Sequence, residues 1–145
     1  MPPRVLLAHS KSFDRTETEL SLKALGWNVF STTSYKAACE MVTQSQFQFI
    51  LLSISLDDGD GYTLTKLIRE TDSQSKDALV VATSRSGITD DAAISRGLDG
   101  VINLECSREE LEAQLQKWVA KLAFRMWKTE GMPRLSLDRI WMGGA

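Results

Sequence analysis

The sequence is poor in cysteine, histidine and proline, and it has no long apolar run. Its 145 residues include 2 Cys, 3 Pro and 1 His. Cys39 and Cys106 are too few for a disulfide framework and stand in no metal-binding spacing, so we expect them to be small buried apolar residues. The apolar run at residues 5–8 is too short for a signal peptide or a membrane span. These absences predict a protein of a reducing compartment, the cytoplasm, with no membrane association.

The chain also lacks an excess of either charge. It has 17 Lys+Arg against 19 Asp+Glu and a net charge of -2, which excludes the domain-wide cationic surface of a dedicated nucleic-acid-binding protein. Hydrophobic residues make up 43% of the sequence, and a chain of this length buries roughly 68–70% of the surface of its unfolded state. We therefore expect one globular domain with its own core.

What the sequence does contain is an alternation of short apolar runs and longer amphipathic stretches. The apolar runs predict strands at residues 5–8, 28–31, 49–53, 79–82 and 101–103, and the stretches between them predict helices at residues 13–25, 35–43, 62–70, 90–96 and 107–130. This alternation is typical of βα units around a parallel sheet. Right-handed crossovers then favour a doubly wound, flavodoxin-like α/β fold, with a five-stranded parallel sheet and helices on both faces.

The last predicted helix is the longest and has the clearest start. Ser107 and Glu110 form a capping box, in which each side chain accepts a hydrogen bond from the backbone N–H of the other residue. Gly131 and Pro133 are expected to end the helix. At 1.5 Å per residue the helix is about 36 Å long, which is longer than the sheet on which it packs. Its apolar stripe consists of Leu111, Leu115, Trp118, Leu122 and Met126.

In a doubly wound sheet, functional residues lie at the carboxyl ends of the strands. A Ser–His pair of Ser53 and His9 would need an orienting carboxylate and oxyanion donors for acyl transfer, and no GxSxG elbow surrounds the serine. We therefore expect neither a catalytic residue nor a cofactor or metal at this edge. The topology alone selects the residues that follow the predicted strands, which are His9, Ser10, Ser53, Thr83, Ser84 and Leu104.

The segment FILLSISLDDGDGY at residues 49–62 resembles the centre of a response-regulator receiver domain of the chemotaxis type, where LLDxxLPDGDGYxL is common. The strand VVAT at residues 80–83 continues the resemblance, as does the segment GLDGVI at 97–102, in the place of the family's GADxYI. The resemblance covers about residues 4–122, which we interpret as a receiver-like domain. Residues 123–145 are then a helix extension and tail, for linkage, dimerisation or partner docking.

The resemblance also implies that the chemistry of a receiver is missing. Such a domain accepts a phosphoryl group on an aspartate after the third strand, and Mg²⁺ is held by this aspartate and by acids after the first strand. Here Ser53 stands at the acceptor position, and His9 and Ser10 replace the acids. Leu104 replaces the lysine after the fifth strand, and only Thr83 matches the family. We interpret the chain as a degenerate pseudo-receiver, outside the phosphorylation cycle.

Two alternatives stay open for the polar residues at this edge. His9, Ser53 and Thr83, with Arg85, form a candidate pocket for an anion or another small ligand, or for an enzyme. The acidic turn DDGD at residues 57–60 invites a calcium site, but it lacks the twelve-residue spacing and the terminal Glu of an EF-hand loop. We interpret it as a solvated turn, because tight turns require Gly and Asp.

The C-terminal region carries the sharpest sign of function. Aromatic residues are typical anchors of protein interfaces, and they continue here past the end of the domain. We expect a phosphorylation-independent receiver that regulates signalling or transcription through protein contacts, as a homodimer built on the last helix. Nucleic acid is reached only through a missing or partner output domain, since no helix-turn-helix fits after residue 131. The interface candidates are Trp118, Phe124, Met126, Trp127 and Trp141.

Overall fold

The computed structural model describes residues 3–70, 75–84 and 88–130, with the backbone alone for residues 12–13 and 126–130. Strands and helices alternate along the chain, as the apolar pattern predicts. In chain order the elements are β1 (Arg4–Ala8), α1 (Ser12–Ala24), β2 (Asn28–Thr32), α2 (Tyr35–Gln44), β3 (Phe49–Ser53), β4 (Ser55–Leu56), β5 (Gly59–Asp60), α3 (Gly61–Glu70), β6 (Leu79–Ser84), α4 (Asp90–Ile94), β7 (Gly100–Asn103) and α5 (Arg108–Glu130).

The central sheet is parallel and five-stranded, in the order β2-β1-β3-β6-β7. The strand order reverses between β1 and β3, so the helices divide between the two faces. This confirms the predicted fold class, and each predicted strand is found within two residues of its expected bounds. The short antiparallel hairpin of β4 and β5 is not predicted by the sequence, because strands of two residues show no periodicity.

Each face of the sheet builds its own core, because successive strand residues point to opposite faces. The strands β3 and β6 are apolar almost throughout, as strands covered on both sides should be. One core packs against α2, α3 and α4, and the other packs against α1 and α5. Cys39 and Cys106 are half-buried against these two cores, so they are less enclosed than expected.

Trp118 is a core residue of α5. Its side chain is 3% exposed and its ring meets Phe49 edge-on, with centroids 6.2 Å apart. A Cβ atom on Gly100 would lie 2.6 Å from Cζ2 of Trp118, so β7 needs glycine at this position. The expectation that Trp118 belongs to an interface is therefore wrong, because its indole is already enclosed within the domain.

The capping box at the start of α5 is confirmed. The Glu110 N–H donates to the Ser107 hydroxyl at 3.2 Å, and the Ser107 N–H donates to the Glu110 carboxylate at 3.4 Å. The helix α4 is shorter than predicted, since it ends at Ile94 and the chain turns through Gly97 at a φ of 91°. No helix in the described part of the chain is long and apolar enough to cross a membrane.

Candidate functional site

The carboxyl edge of the sheet brings the predicted residues together. Ser53 and Thr83 are register partners in β3 and β6, and Ala8 pairs with Leu52 in β1 and β3. His9, one residue beyond β1, therefore lies at the same edge as Ser53. The resemblance to a receiver domain implied this juxtaposition, and it follows structurally because parallel strands end at a common edge.

His9 is buried, with 3% of its surface exposed. Its Nδ1 atom accepts a hydrogen bond from the Lys11 N–H at 3.3 Å. Its backbone N–H donates to the Thr32 carbonyl at 3.0 Å, and its carbonyl accepts from the Arg15 guanidinium at 3.2 Å. His9 thus connects the end of β1 to β2 and to α1, so its backbone has a structural role.

The hydroxyls of Ser10 and Ser53 both bind the backbone of Ser55. The Ser10 hydroxyl donates to the Ser55 carbonyl at 3.0 Å, and the Ser53 hydroxyl accepts from the Ser55 N–H at 3.3 Å. Ser55 begins the hairpin of β4 and β5. Two of the three residues that replace receiver acids therefore anchor the loop after β3.

Thr83 and Leu104 complete the edge as enclosed groups. Thr83 is 4% exposed, and its hydroxyl donates to the Leu52 carbonyl at 3.4 Å. Leu104 belongs to the core under α1 and α5, and its N–H donates to the Ser84 carbonyl at 2.8 Å. Leu104, at the position that the resemblance assigns to the lysine of a receiver, is therefore part of the apolar core. Arg85, the only cation of the predicted anion pocket, lies outside the described residues.

A carboxylate that the sequence pattern does not mark lies beside Leu104. Asp14 is buried in the first turns of α1 and lines, with Leu104 and Thr18, a cavity of about 230 Å³ between α1 and α5. An ion pair between Arg108 and Glu17, at 2.9 Å, links the two helices at this cavity. A buried acid on an amphipathic helix has no sequence signal of its own, since periodicity reports only apolar residues.

The donor atoms that replace the receiver acids do not fit Mg²⁺. This cation takes oxygen ligands and is usually held by carboxylates. The imidazole of His9 is a nitrogen ligand, and the hydroxyls of Ser10 and Ser53 already bind the backbone of the hairpin. Across residues 3–70, 75–84 and 88–130 no group of three His, Cys, Asp or Glu side chains is placed to hold a metal ion.

The acids of the turn after β3 cap helices. Asp58 accepts hydrogen bonds from the Ser34 hydroxyl at 3.0 Å and from the N–H groups of Tyr35 and Lys36 at the start of α2. Asp60 accepts from the N–H and hydroxyl of Thr63 at 2.9 and 2.8 Å. These bonds lower the pKa of both carboxyls below the ordinary value. The turn is exposed, as expected, but two of its acids have structural partners.

The C-terminal candidates differ in what the structure describes. Phe124 is 60% exposed on α5, because a residue two positions after the buried Leu122 lies on nearly the opposite side of the helix. Met126 and Trp127 continue the same helix, of which only the backbone is described at these positions. Trp141 lies outside the described residues.

Solved structures similar to this fold are receiver domains. The receiver domain of a sensor histidine kinase from Pseudomonas aeruginosa, which has a magnesium ion coordinated in its active site cleft, is 22% identical with a TM-score of 0.70, over 83% of this chain and 99% of that one. A chemotaxis response regulator from Vibrio cholerae is 17% identical with a TM-score of 0.72, over 81% and 98%. These identities establish similarity of fold alone.

The same similarity extends to the receiver domain of a signal transduction histidine kinase from Syntrophus aciditrophicus. It is 15% identical with a TM-score of 0.72, over 90% of this chain and 97% of that chain. A search of curated proteins finds no match. The sequence model of the response regulator receiver domain, however, matches residues 5–116, which is most of the chain. The chain therefore belongs to the response regulator receiver domain family.

Proposed function

We propose that this receiver domain works without phosphorylation, as a non-enzymatic regulatory module of signal transduction or transcriptional control. Receiver domains serve two-component signalling and interact with protein partners. The observation that carries the proposal is the state of the acceptor position. Ser53 has no carboxylate to phosphorylate, and its hydroxyl already accepts a hydrogen bond from the Ser55 N–H at 3.3 Å.

The physical argument is that the charges of a receiver site are absent as a set. Removal of one partner from a buried ionic cluster leaves an uncompensated charge, which costs about 3–5 kcal/mol. Replacement of all partners by neutral groups avoids this cost and is often neutral for stability. Ser10, Ser53 and Leu104, together with His9, stand in the place of the four charged groups, and each is held by contacts within the domain.

The proposal is tested by intact mass spectrometry of the full chain after incubation with acetyl phosphate and Mg²⁺. We expect no species heavier by one phosphoryl group, while a phosphorylatable receiver treated in parallel gains this mass. A stable adduct that survives in the wild-type chain and is lost in Ser53→Ala would contradict the proposal and assign Ser53 as the acceptor.

The proposed module acts as a homodimer through the end of α5 and the tail. Residues 4–122 are the receiver domain in this proposal, and residues 123–145 are the contact region. The support is that α5 continues to Glu130, eight residues beyond the buried Leu122, and that Phe124 on this part of the helix is 60% exposed. Met126, Trp127 and Trp141 are the further candidates. Light scattering should give twice the monomer mass of 16.2 kDa, and a variant without residues 131–145 should be monomeric.

A ligand-binding or enzymatic pocket of His9, Ser53 and Thr83 has less support. The Thr83 hydroxyl is buried and donates to the Leu52 carbonyl, and the Ser53 hydroxyl is bound to Ser55. A thermal-shift series with phosphate, nucleotides and divalent metals separates the two functions. A ligand at 100 times its Kd stabilises the folded state by about 2.7 kcal/mol, so a true site produces a clear shift.

A further inference from the structure

The C-terminal part of α5 carries positive charge, with no negative charge before its last residue, Glu130. Residues 113–129 include Lys117, Lys121, Arg125 and Lys128 and contain no Asp or Glu. Lys117 and Lys121 are exposed, and their ammonium groups lie 5.8 and 4.6 Å from the Trp118 ring. The helix dipole favours cations only within the last turn of a helix. Both lysines lie well before Glu130, so the end of the helix does not account for them.

This charge borders an apolar groove. Leu79 at the start of β6 lines, with Ala120, Lys121, Phe124 and Arg125 of α5, a groove of about 530 Å³. Leu79 is buried, whereas the Phe124 ring is 60% exposed. The groove thus has an apolar floor, an exposed aromatic ring and cations on its rim, which is the composition of a protein interface with a charged edge.

The groove is separate from the edge that holds Ser53 and Thr83. Leu79 and Thr83 are at opposite ends of the described strand β6, about 13 Å apart at 3.3 Å per residue. A partner seated on the groove therefore contacts the domain at the amino end of the sheet. The loss of receiver chemistry at the carboxyl end leaves this surface intact.

We infer that the groove and the cationic row beside it, in which Lys117 and Lys121 are exposed and Arg125 is half-buried, form the docking site for an acidic amphipathic segment of a partner protein. This inference rests on the proposed function and names the chemistry of its partner. The row repeats every fourth residue, so the cations lie along one side of the helix. A segment with carboxylates on one face and apolar side chains on the other matches both the rim and the floor.

The other occupants fit less well. A second copy docked symmetrically on the groove would bring the cationic row against itself, and juxtaposed like charges oppose association, so the proposed homodimer contact lies beyond the groove, from residue 126 onward. Nucleic acid would match the cations, but its phosphates would make no favourable contact with the apolar side chains of Leu79, Ala120 and Phe124. Charge and apolar surface together therefore select an acidic protein segment.

The test uses the full chain and two fluorescein-labelled synthetic peptides followed by anisotropy. One peptide is amphipathic, with glutamates on one face and leucines on the other, and the second has every glutamate replaced by lysine. We expect the glutamate peptide to bind and the lysine peptide to bind at least about tenfold more weakly. Binding should weaken as NaCl rises from about 0.05 to about 0.5 M, because salt screens exposed charges.

Matched variants locate the site. Lys121→Glu and Phe124→Ala should each weaken binding of the glutamate peptide by about tenfold. Lys66→Glu makes the same charge change on α3, which covers the other face of the sheet, and should leave binding unchanged. Thermal unfolding of each variant checks that the fold is retained, since Lys121 also lies over the Trp118 ring.

Three results would overturn the inference. The first is the failure of a control, which means equal binding of the two peptides or an equal loss of glutamate-peptide binding in Lys121→Glu and Lys66→Glu. The second is binding of a labelled DNA duplex that Lys121→Glu abolishes, with no binding of the glutamate peptide. The third is a dimer that Lys121→Glu dissociates, which would assign the groove to a second copy. None of these results changes the expected outcome of the acetyl phosphate test. A wrong assignment of the partner can therefore be distinguished from a failure of the proposed phosphorylation independence.

Discussion

The Asp58 carboxylate accepts a hydrogen bond from the backbone N–H of Tyr35, the first residue of α2. The two residues are 23 positions apart in the sequence. The contact holds the turn after β3 against α2, and both belong to the face of the sheet that α2, α3 and α4 cover. Asp58 also accepts from Lys36 at 3.1 Å and from the Ser34 hydroxyl. The loop that follows the acceptor position is therefore held by a helix N-terminus, where N–H groups and the helix dipole favour a carboxylate.

Removal of the Asp58 charge should destabilise the domain in a pH-dependent way. The hydrogen bonds from Tyr35 and Lys36 lower the pKa of Asp58 in the folded state. Its contribution is therefore present above the ordinary pKa of 3.8 and is lost as the pH falls below it. Urea denaturation of Asp58→Asn at pH 7 should show a lower midpoint, and wild type and variant should converge in acid.

Asp57→Asn is the matched control for Asp58→Asn. Asp57 is the neighbouring exposed acid of the same turn and makes none of these capping contacts. Its substitution should leave the midpoint at pH 7 unchanged. Equal loss in the two variants would indicate a general charge effect rather than a cap.

Gly100→Ala should destabilise the domain by about 1–3 kcal/mol, because the added methyl group enters the space of the Trp118 ring. The same change combined with Trp118→Leu should cost less than the sum of the two single changes, since the smaller side chain makes room. Urea denaturation of the two single variants and the double variant measures this coupling. If the losses of stability are additive, the closeness of Gly100 to the Trp118 ring is not the reason why β7 needs glycine at this position.

Side chains protect the edge strand β7. The N–H of Val101 donates to the Asp90 carboxylate at 3.2 Å, and the N–H of Asn103 donates to the Gln114 side chain at 2.8 Å. Gln114 also donates to the Asn103 carbonyl at 2.9 Å. Edge strands with unpaired backbone groups are templates for association with another chain.

Asp90→Ala combined with Gln114→Ala should increase association of the protein. Each lost hydrogen bond should also lower the free energy of unfolding by about 0.5–1.5 kcal/mol. Light scattering over a concentration series should show larger assemblies for the double variant than for wild type. Glu112→Ala, an exposed change on the same helix, should behave as wild type, and unchanged scattering of the double variant would speak against a protective role.

Ser53→Asp alone should not restore phosphorylation. The new carboxylate would face Ser10 and Leu104 where a receiver has an acid and a lysine, so neither Mg²⁺ nor the phosphoryl charge would find its usual partner. Intact mass after acetyl phosphate treatment should show no adduct with Ser53→Asp. The triple variant with Ser10→Asp and Leu104→Lys is the informative comparison, and an adduct on the single variant would show that the two other positions are dispensable.

The elements were predictable where their signal is local. Strands β3 and β6 are buried on both faces and so read as continuous apolar runs, and Ser107 and Glu110 mark the start of α5 within one turn. The C-terminal bound of α4 was predicted too late. Gly97 marks the left-handed turn that follows the helix, but the helix itself already ends at Ile94. The cap that Asp58 provides for α2 depends on the packing of a hairpin, which the sequence does not signal.

The sequence by itself determined the α/β fold, the succession of its strands and helices along the chain and the absence of charge at Ser53, Ser10 and Leu104, because apolar periodicity and residue identity do not depend on distant contacts. Only the tertiary structure decided that Trp118 is enclosed while Phe124, six residues later on the same helix, is exposed. The physical reason is that apolar residue types predict which side chains favour burial, whereas the packing of α5 on the sheet decides which of them are covered, Trp118 within the core and Phe124 outside it.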